Sequence, residues 1–250
     1  MIVTWLGQAG LLVETGEIRV LVDPFFSDYE ARLYASPPPD EYTSGVDALL
    51  VTHDHLDHLD VGFLPTLVAA SPDVRVVVPE PVAPAAAELA GSAEVVPVAA
   101  GQDLQLAEGV SAQVVPAWHA PAPADGYATH GGRFVGYVLT LPSLRLYHSG
   151  DTLATPELVE ALRPARVDVA FLPINGRDVF REEREIAGNM SFREAVQLAS
   201  RIGASTLVPI HWDMFAGNTE LPGRAVDEAA AEDADLHVLV LRRFRPFRLA

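Results

Sequence analysis

Apolar residues along the first 22 positions come in short runs separated by glycine. Ile2 to Leu6, Leu11 to Glu14 and Ile18 to Val22 are rich in β-branched side chains, with Gly7, Gly10 and Thr15-Gly16 between them. This is the pattern of a β-meander. Asp23-Pro24 ends the third run, and Ser27 to Ser44, with Pro37-Pro38-Pro39 inside it, has no periodicity and reads as a loop. Val46 to Thr52 predicts a buried strand that delivers the chain to His53-Asp54-His55-Leu56-Asp57-His58. A helix from about Val61 to Ala70, a strand at Val74 to Val78 and an Ala-rich helix from Ala83 to Leu89 follow. Further strands are expected at Glu94 to Val98, Val110 to Pro116, Phe134 to Leu141 and Leu144 to His148, around a Pro/Gly/Ala-rich loop at Ala120 to Gly132.

The second half alternates helix and strand. Thr155 and Pro156 supply the N-cap and first turn of a helix to about Leu162, and Val167 to Pro173 is a strand. Ser191-Phe192-Arg193-Glu194 is a capping box for a helix that stops at Gly203. Thr206 to Ile210 is a strand ending at His211, and Leu236 to Leu241 is another, with His237 in a structural place. No linker and no short-period repeat divides the chain, so a single domain over residues 1–250 is expected, a helix-covered sandwich of sheets.

Composition narrows the partners. The 250 residues are 49% hydrophobic and 20% charged, enough for a sizeable core. All 17 cations are Arg, set against 34 acidic residues, for a net charge of −17. With so much Ala, Val, Pro and Gly, the absence of Lys reads as the codon bias of a GC-rich genome rather than as chemistry. An acidic surface repels phosphate backbones and anionic lipids, which argues against nucleic-acid and membrane partners. A small molecule remains, held by a local Arg if it is anionic, and a homo-oligomer is compatible with this surface. Cysteine is absent, so any metal must be held by imidazole and carboxylate. No signal-peptide pattern opens the chain and no apolar run approaches the ~20 residues of a membrane span, so a cytoplasmic location is expected.

The chemistry concentrates at strand ends. His53 and His55 are two apart, so in an extended segment they project to one side, and Asp57 and His58 sit in the turn that follows. A solvated turn would explain any one of these residues. It does not explain three imidazoles and a carboxylate within six positions, which form the ligand set of Zn, Mn or Fe(II). His119 follows the strand ending at Pro116, Asp151 follows Gly150 at the end of another, and His211 closes Leu207-Val208-Pro209-Ile210. Each is polar where a core residue would be apolar. Asp23 is either a turn-initiating Asp-Pro or an acceptor for a ligand imidazole. Asp54 and Asp60 read as turn and N-cap residues. His130 and His148 are expected to line the pocket. Arg177, in Asn175-Gly176-Arg177-Asp178 beside the presumed site, is expected to hold a substrate anion together with Asn175, the alternative being a surface pair with Asp178. The mixed-charge run Arg181 to Glu185 reads as a solvated flap.

His-x-His-x-Asp-His after a buried strand, then a His, Gly-Asp-Thr and Pro-Ile-His, resembles the metallo-β-lactamase superfamily in that family's order. The stretches Trp5-Leu6-Gly7-Gln8-Ala9-Gly10, Leu172 to Asp178 and Gly188-Asn189-Met190 are similar to its branch of L-ascorbate-6-phosphate lactonases. The resemblance runs from about Thr4 to Asn218. It implies a four-layer αββα sandwich carrying one or two divalent ions. His53, His55 and His119 would hold one ion and Asp57, His58 and His211 the other, with Asp151 bridging. Redox di-iron members typically carry Glu where His55 stands, so hydrolysis is expected: a water bridging two cations ionises near neutral pH and attacks a lactone, ester or phosphoester. Asp57 and Asp151 are the expected catalytic carboxylates. The rival readings are a phosphodiesterase acting on nucleotides or RNA, and a non-catalytic metal-binding protein.

Overall fold

Alternation within the strands decides the layering. Val3 and Trp5 of β1 (Ile2–Gly7), Leu11 and Val13 of β2 (Gly10–Thr15), and Val20 and Val22 of β3 (Ile18–Val22) enter one buried cluster. The residues between them, Leu6, Leu12 and Leu21, enter a second. A period of two therefore gives each strand one face toward a partner sheet and one toward helices. The computed structural model describes residues 1–232 and 235–249. In it, β1 to β3 continue into β4 (Ala48–Leu50), β5 (Arg75–Pro79) and β6 (Glu94–Val98), antiparallel at first and parallel from β3 onward.

The second sheet repeats that plan. β7 (Asp103–Ala107), β8 (Val110–Pro116), β9 (Val135–Thr140) and β10 (Arg145–His148) are antiparallel. β11 (Val169–Pro173), β12 (Thr206–Ile210) and β13 (His237–Val238) then pair in parallel. β14 (Pro246–Arg248) returns to the first sheet and pairs with β1, giving seven strands in each sheet.

The cluster between the sheets joins Trp5, Leu11 and Val22 to Val114, Tyr137, Phe171 and Ile210. On one outer face lie α2 (Phe63–Ala70) and α3 (Ala83–Ala90), after a single turn, α1 (Asp40–Thr43), in the expected loop. On the other lie α4 (Pro156–Leu162), α6 (Phe192–Arg201) and α7 (Gly223–Ala231); the short α5 (Val179–Glu182) contributes no residue to that cluster. The expected αββα sandwich is the observed one. No helix among the described residues is long and apolar enough to cross a membrane.

The local stop and start signals act as read. Thr155 accepts from Leu158 N, and Ser191 and Glu194 complete both halves of the capping box. Asp60 gathers the amides of Phe26, Ser27, Gly62 and Phe63, which fastens the loop after β3 to the entry of α2. Five elements differ from expectation: α1, β7, α5, α7 and β14 stand where no element is predicted. The ladder of the expected 236–241 strand is limited to His237 and Val238.

Candidate metal centre

The parallel strands of both sheets end at one edge, and there the polar residues converge. His53 and His58 are buried and His55 and Asp57 partly so. The turn carrying them is closed by hydrogen bonds from His58 N and Leu59 N to His55 O. His119 is pinned by a reciprocal backbone pair with Ala128. Asp151 follows Gly150, whose φ of +56° is left-handed and whose missing Cβ would lie 2.6 Å from Thr52, so only glycine admits this bend. His211, at φ +58°, donates its amide to Gln8 O.

Two groups of donors result. His53, His55, His119 and Asp151 offer ligand atoms all within 4.8 Å of one another, as do Asp57, His58 and His211. Asp151 faces both: Oδ1 is 3.4 Å from His58 Nε2, and Oδ2 is 3.5 Å from His119 Nε2 and 3.3 Å from His211 Nε2. His211 Nε2 also lies 3.4 Å from Asp57 Oδ2. The Nε2 atoms of His53, His55, His58 and His119 and Oδ1 of Asp151 are buried without a hydrogen-bond partner. Buried polar atoms are rarely left so. Several of them converging, all nitrogen and oxygen donors with no thiolate, fit one or two divalent cations.

Charge divides the two groups further. Burial and the neighbouring imidazoles of His58 and His55 hold His53 far below its ordinary value. Burial lowers His55 as well and pushes His119 down to about 3. These three are neutral donors. Burial also opposes charge on His58 and His211, but Asp151, Asp23 and Asp57 outweigh it at His58, raising it well above 6.5. Asp151 and Asp57 raise His211 to about 9. Burial penalises the carboxylates too, yet His58 and His211 hold both Asp57 and Asp151 well below the usual range.

Around this centre runs a layer of hydrogen bonds that sequence reasoning reaches only in part. Asp23 Oδ2 lies 2.7 Å from His58 Nδ1 and accepts from Thr52 Oγ1 at 2.6 Å, while Oδ1 accepts from Thr52 N at 2.8 Å. Of its two expected roles, Asp23 takes that of acceptor for the imidazole of His58. Gln8 has no sequence-assigned role of its own. Its Nε2 donates to Asp57 Oδ2 at 2.7 Å, its amide donates to Asp213 Oδ1, and Asp213 Oδ2 accepts from Arg243. The available signal is a polar residue inside the buried stretch Trp5 to Leu12. Gln8, Asp23 and His211 all have left-handed φ, at +49°, +43° and +58°. That concentration of backbone strain in non-glycine residues is typical of functional sites.

Removing Asp23 tests this layer. Asp23→Ala leaves Thr52 N buried without its acceptor, at about 1–3 kcal/mol, and leaves His58 Nδ1 only the longer contact to Thr52 Oγ1 at 3.3 Å. Denaturant unfolding of the metal-free variant should register that loss. Chelator competition should show metal affinity weakened roughly ten- to a hundredfold. Wild-type affinity in the variant would mean that His58 needs no such support.

The expected substrate contacts are corrected by their partners. Arg177 does not reach the cavity described below: Nη1 and Nη2 fork onto Glu194 at 2.8 and 2.7 Å, and Nη1 also donates to Asn189 O. It pairs with Glu194 rather than Asp178, which binds Arg181 instead. Asn175 is buried between Asn218 and Asn189, its amide used on both sides. His148 is fully buried behind the centre, its Nε2 2.7 Å from Ala9 O and its Nδ1 accepting from Gly150 N, so it braces the Asp151 turn. His130 stands outside the cavity, edge-on to Phe134, whose ring packs against His53, His55 and His119. Asp54 is taken up by Arg133. The expected solvated flap is partly anchored, since Arg181 is buried with Nε on Asn218 Oδ1.

A cavity of about 400 Å³ opens over His55, Asp57, Asp151 and His211, within the size range of small-molecule sites. Its other walls come from Tyr29, Leu56, Phe215 and the segment Arg184 to Ala187.

A two-sheet sandwich with this donor set at one edge defines the metallo-β-lactamase superfamily, and residues 18–212 match the Beta-lactamase superfamily domain. Within it the chain belongs to the UPF0173 metal-dependent hydrolases. It is 32% identical over 235 residues to the member from Pyrococcus furiosus, covering 91% of this chain and 93% of that one. Among solved structures it is similar to a possible metal-dependent hydrolase of Veillonella parvula, with a TM-score of 0.79 at 17% identity, over 100% of this chain and 99% of that one. The diiron β-hydroxylase CmlA of Streptomyces venezuelae shares the fold too, with a TM-score of 0.73 at 16% identity, over 99% of this chain and 54% of that chain. The fold alone thus selects neither metal nor reaction. The donor set and the family make this chain a metal-dependent hydrolase.

Proposed function

We propose that the enzyme hydrolyses a lactone, ester or phosphoester bond of a small cytoplasmic metabolite, in the manner of the ascorbate-6-phosphate lactonase branch. The observation that carries this reading is the convergence of unpartnered imidazole nitrogens and the Asp151 carboxylate beneath a cavity sized for a small molecule. His53, His55 and His119 would hold one ion, Asp57, His58 and His211 a second, and Asp151 both. Zn, Mn and Fe(II) all suit these ligands. When bound, two such ions acidify a water and offset charge on the oxygen of the attacked group.

The chain's own residues supply orientation and proton movement. Gln8 Nε2 fixes Asp57 Oδ2, and Asp57 faces the cavity. There its carboxylate accepts the proton of the attacking water and passes it to the leaving alkoxide oxygen. The water oxygen bonds to the acyl carbon and the carbon–oxygen bond breaks. The products are a carboxylate and an alcohol, joined in one hydroxy acid when the substrate is a lactone, and one proton goes to solvent.

That proton permits a direct assay. Protein loaded separately with Zn²⁺, Mn²⁺ or Fe²⁺ should acidify an unbuffered solution of at least one lactone or ester, and a chelator should stop it. Faster cleavage of bis(4-nitrophenyl) phosphate than of any lactone or ester would narrow this reading to its phosphoester member and favour a phosphodiesterase. Inertness with every metal would sink it.

A further inference from the structure

The cavity is acidic and apolar at once. Asp57, Asp151 and Glu185 line it, in a chain whose net charge is −17. Leu56, Phe215 and Tyr29 form an apolar wall, the two rings edge to face with centroids 5.7 Å apart. Among the described residues, Arg184 supplies the only guanidinium in this lining.

Its state is unusual. Glu182, Glu183 and Glu185 flank Arg184 in sequence, yet it forms no ion pair with any carboxylate of the described residues. The guanidinium lies over the ring of Phe180, 3.5 Å from its centroid, and Nη1 donates to Phe180 O at 2.8 Å. Stacking and one backbone bond therefore hold the group in place and leave Nε and Nη2 without a protein partner. Ordering before binding removes part of the entropic penalty of fixing a long side chain. Arg177 offers nothing comparable, because its fork is closed by Glu194.

We propose that Arg184 binds an anionic group of the substrate, a carboxylate or a phosphate, through its open edge. The substrate class is then an ester or lactone whose charged end is separated by an apolar stretch from the bond that is cleaved. The inference rests on the hydrolytic reading of the same cavity. Its physical basis is that a planar guanidinium forms parallel charge-assisted hydrogen bonds to either anion. Beside Glu185, and in a chain of net charge −17, that cation offsets the field that would repel an anion.

The test uses the full chain, metal-loaded, and three chromogenic esters with one acyl chain: 4-nitrophenyl pentanoate and its analogues with a terminal carboxylate or a terminal phosphonate. In the wild type, kcat/KM for at least one charged ester should exceed that for the neutral one by roughly tenfold or more, and which of the two gains identifies the anion. Arg184→Ala should bring the charged-to-neutral ratio close to one, Arg184→Glu should invert it, and Arg184→Lys should restore part of it. A wild-type ratio near one, or a ratio that survives Arg184→Ala, overturns the assignment. If none of these esters is cleaved, the hydrolytic reading is judged by the lactone, ester and phosphodiester assay above, and Arg184 by calorimetric titration with adipate and with 5-phosphonopentanoate. A Kd weakened roughly tenfold or more by Arg184→Ala supports the anion site, and an unchanged Kd for both compounds overturns it.

Discussion

Asp151→Ala should reduce kcat by roughly a thousandfold or more, from the several kcal/mol that cation stabilisation contributes to such reactions. The reason is geometric. Among the described residues, Asp151 presents one oxygen to His58 and the other to His119 and His211, so on the proposed assignment its loss would take a ligand from both groups at once and leave two cations with no anion between them. Elemental analysis should find the second ion missing and the first more easily removed by chelator. The fold should persist, because Asp57 still faces His58 and His211, and Asp23 still faces His58, so neither imidazole is left as an uncompensated buried charge. Full metal content with near wild-type kcat would show that Asp151 is not shared between ions.

What the sequence makes legible here is what is contiguous. The His53-to-His58 cluster is read directly because its ligands lie within six positions, and His119, Asp151 and His211 follow because each interrupts the end of an apolar run. Side chains whose partners are chosen in three dimensions are not read this way. Glu194 is recognisable as the third residue of a capping box, but nothing local says that its carboxylate also closes the fork of Arg177, 17 residues earlier. Arg184, read as part of a solvated run, is brought to the cavity wall by the α5 turn and Phe180. The unanticipated strands differ in cause: β14 is an edge strand with exposed side chains, so its pairing leaves little apolar alternation to detect, whereas β7 does alternate Leu104 and Leu106 with Asp103 and Gln105, but over only five residues.

The asymmetry of charge at the centre predicts opposite responses to pH in the metal-free and metal-loaded protein. In the metal-free protein His211, faced by Asp57 and Asp151 with His58 stacked beside it, is raised from 6.5 to about 9, and His58 is raised as well. A group whose folded pKa exceeds its unfolded value stabilises the fold fully below the unfolded value, and that contribution is lost as pH climbs through the folded one. For His211 the rise corresponds to about 3 kcal/mol. Asp57 and Asp151 are held low, so their contribution is present above the ordinary carboxylate range and disappears only in acid. Metal-free protein should therefore be less stable at pH 9.5 than at pH 6.5 by denaturant unfolding, because the loss at His211 and His58 exceeds the roughly 0.4 kcal/mol that each low-lying imidazole, His53, His55, His119 and His148, regains as its unfolded form deprotonates. Metal binding should run the other way, because an imidazole must be neutral to donate. The ion held by His53, His55 and His119 meets neutral rings and should release almost no protons from them. The ion held by Asp57, His58 and His211 should release about two near pH 7 and bind more tightly as pH rises toward 9. Calorimetry in buffers of different ionisation enthalpy separates the two events. Equal proton release for both ions, or a metal-free protein that gains stability between pH 6.5 and 9.5, would contradict this division of charge between the two groups.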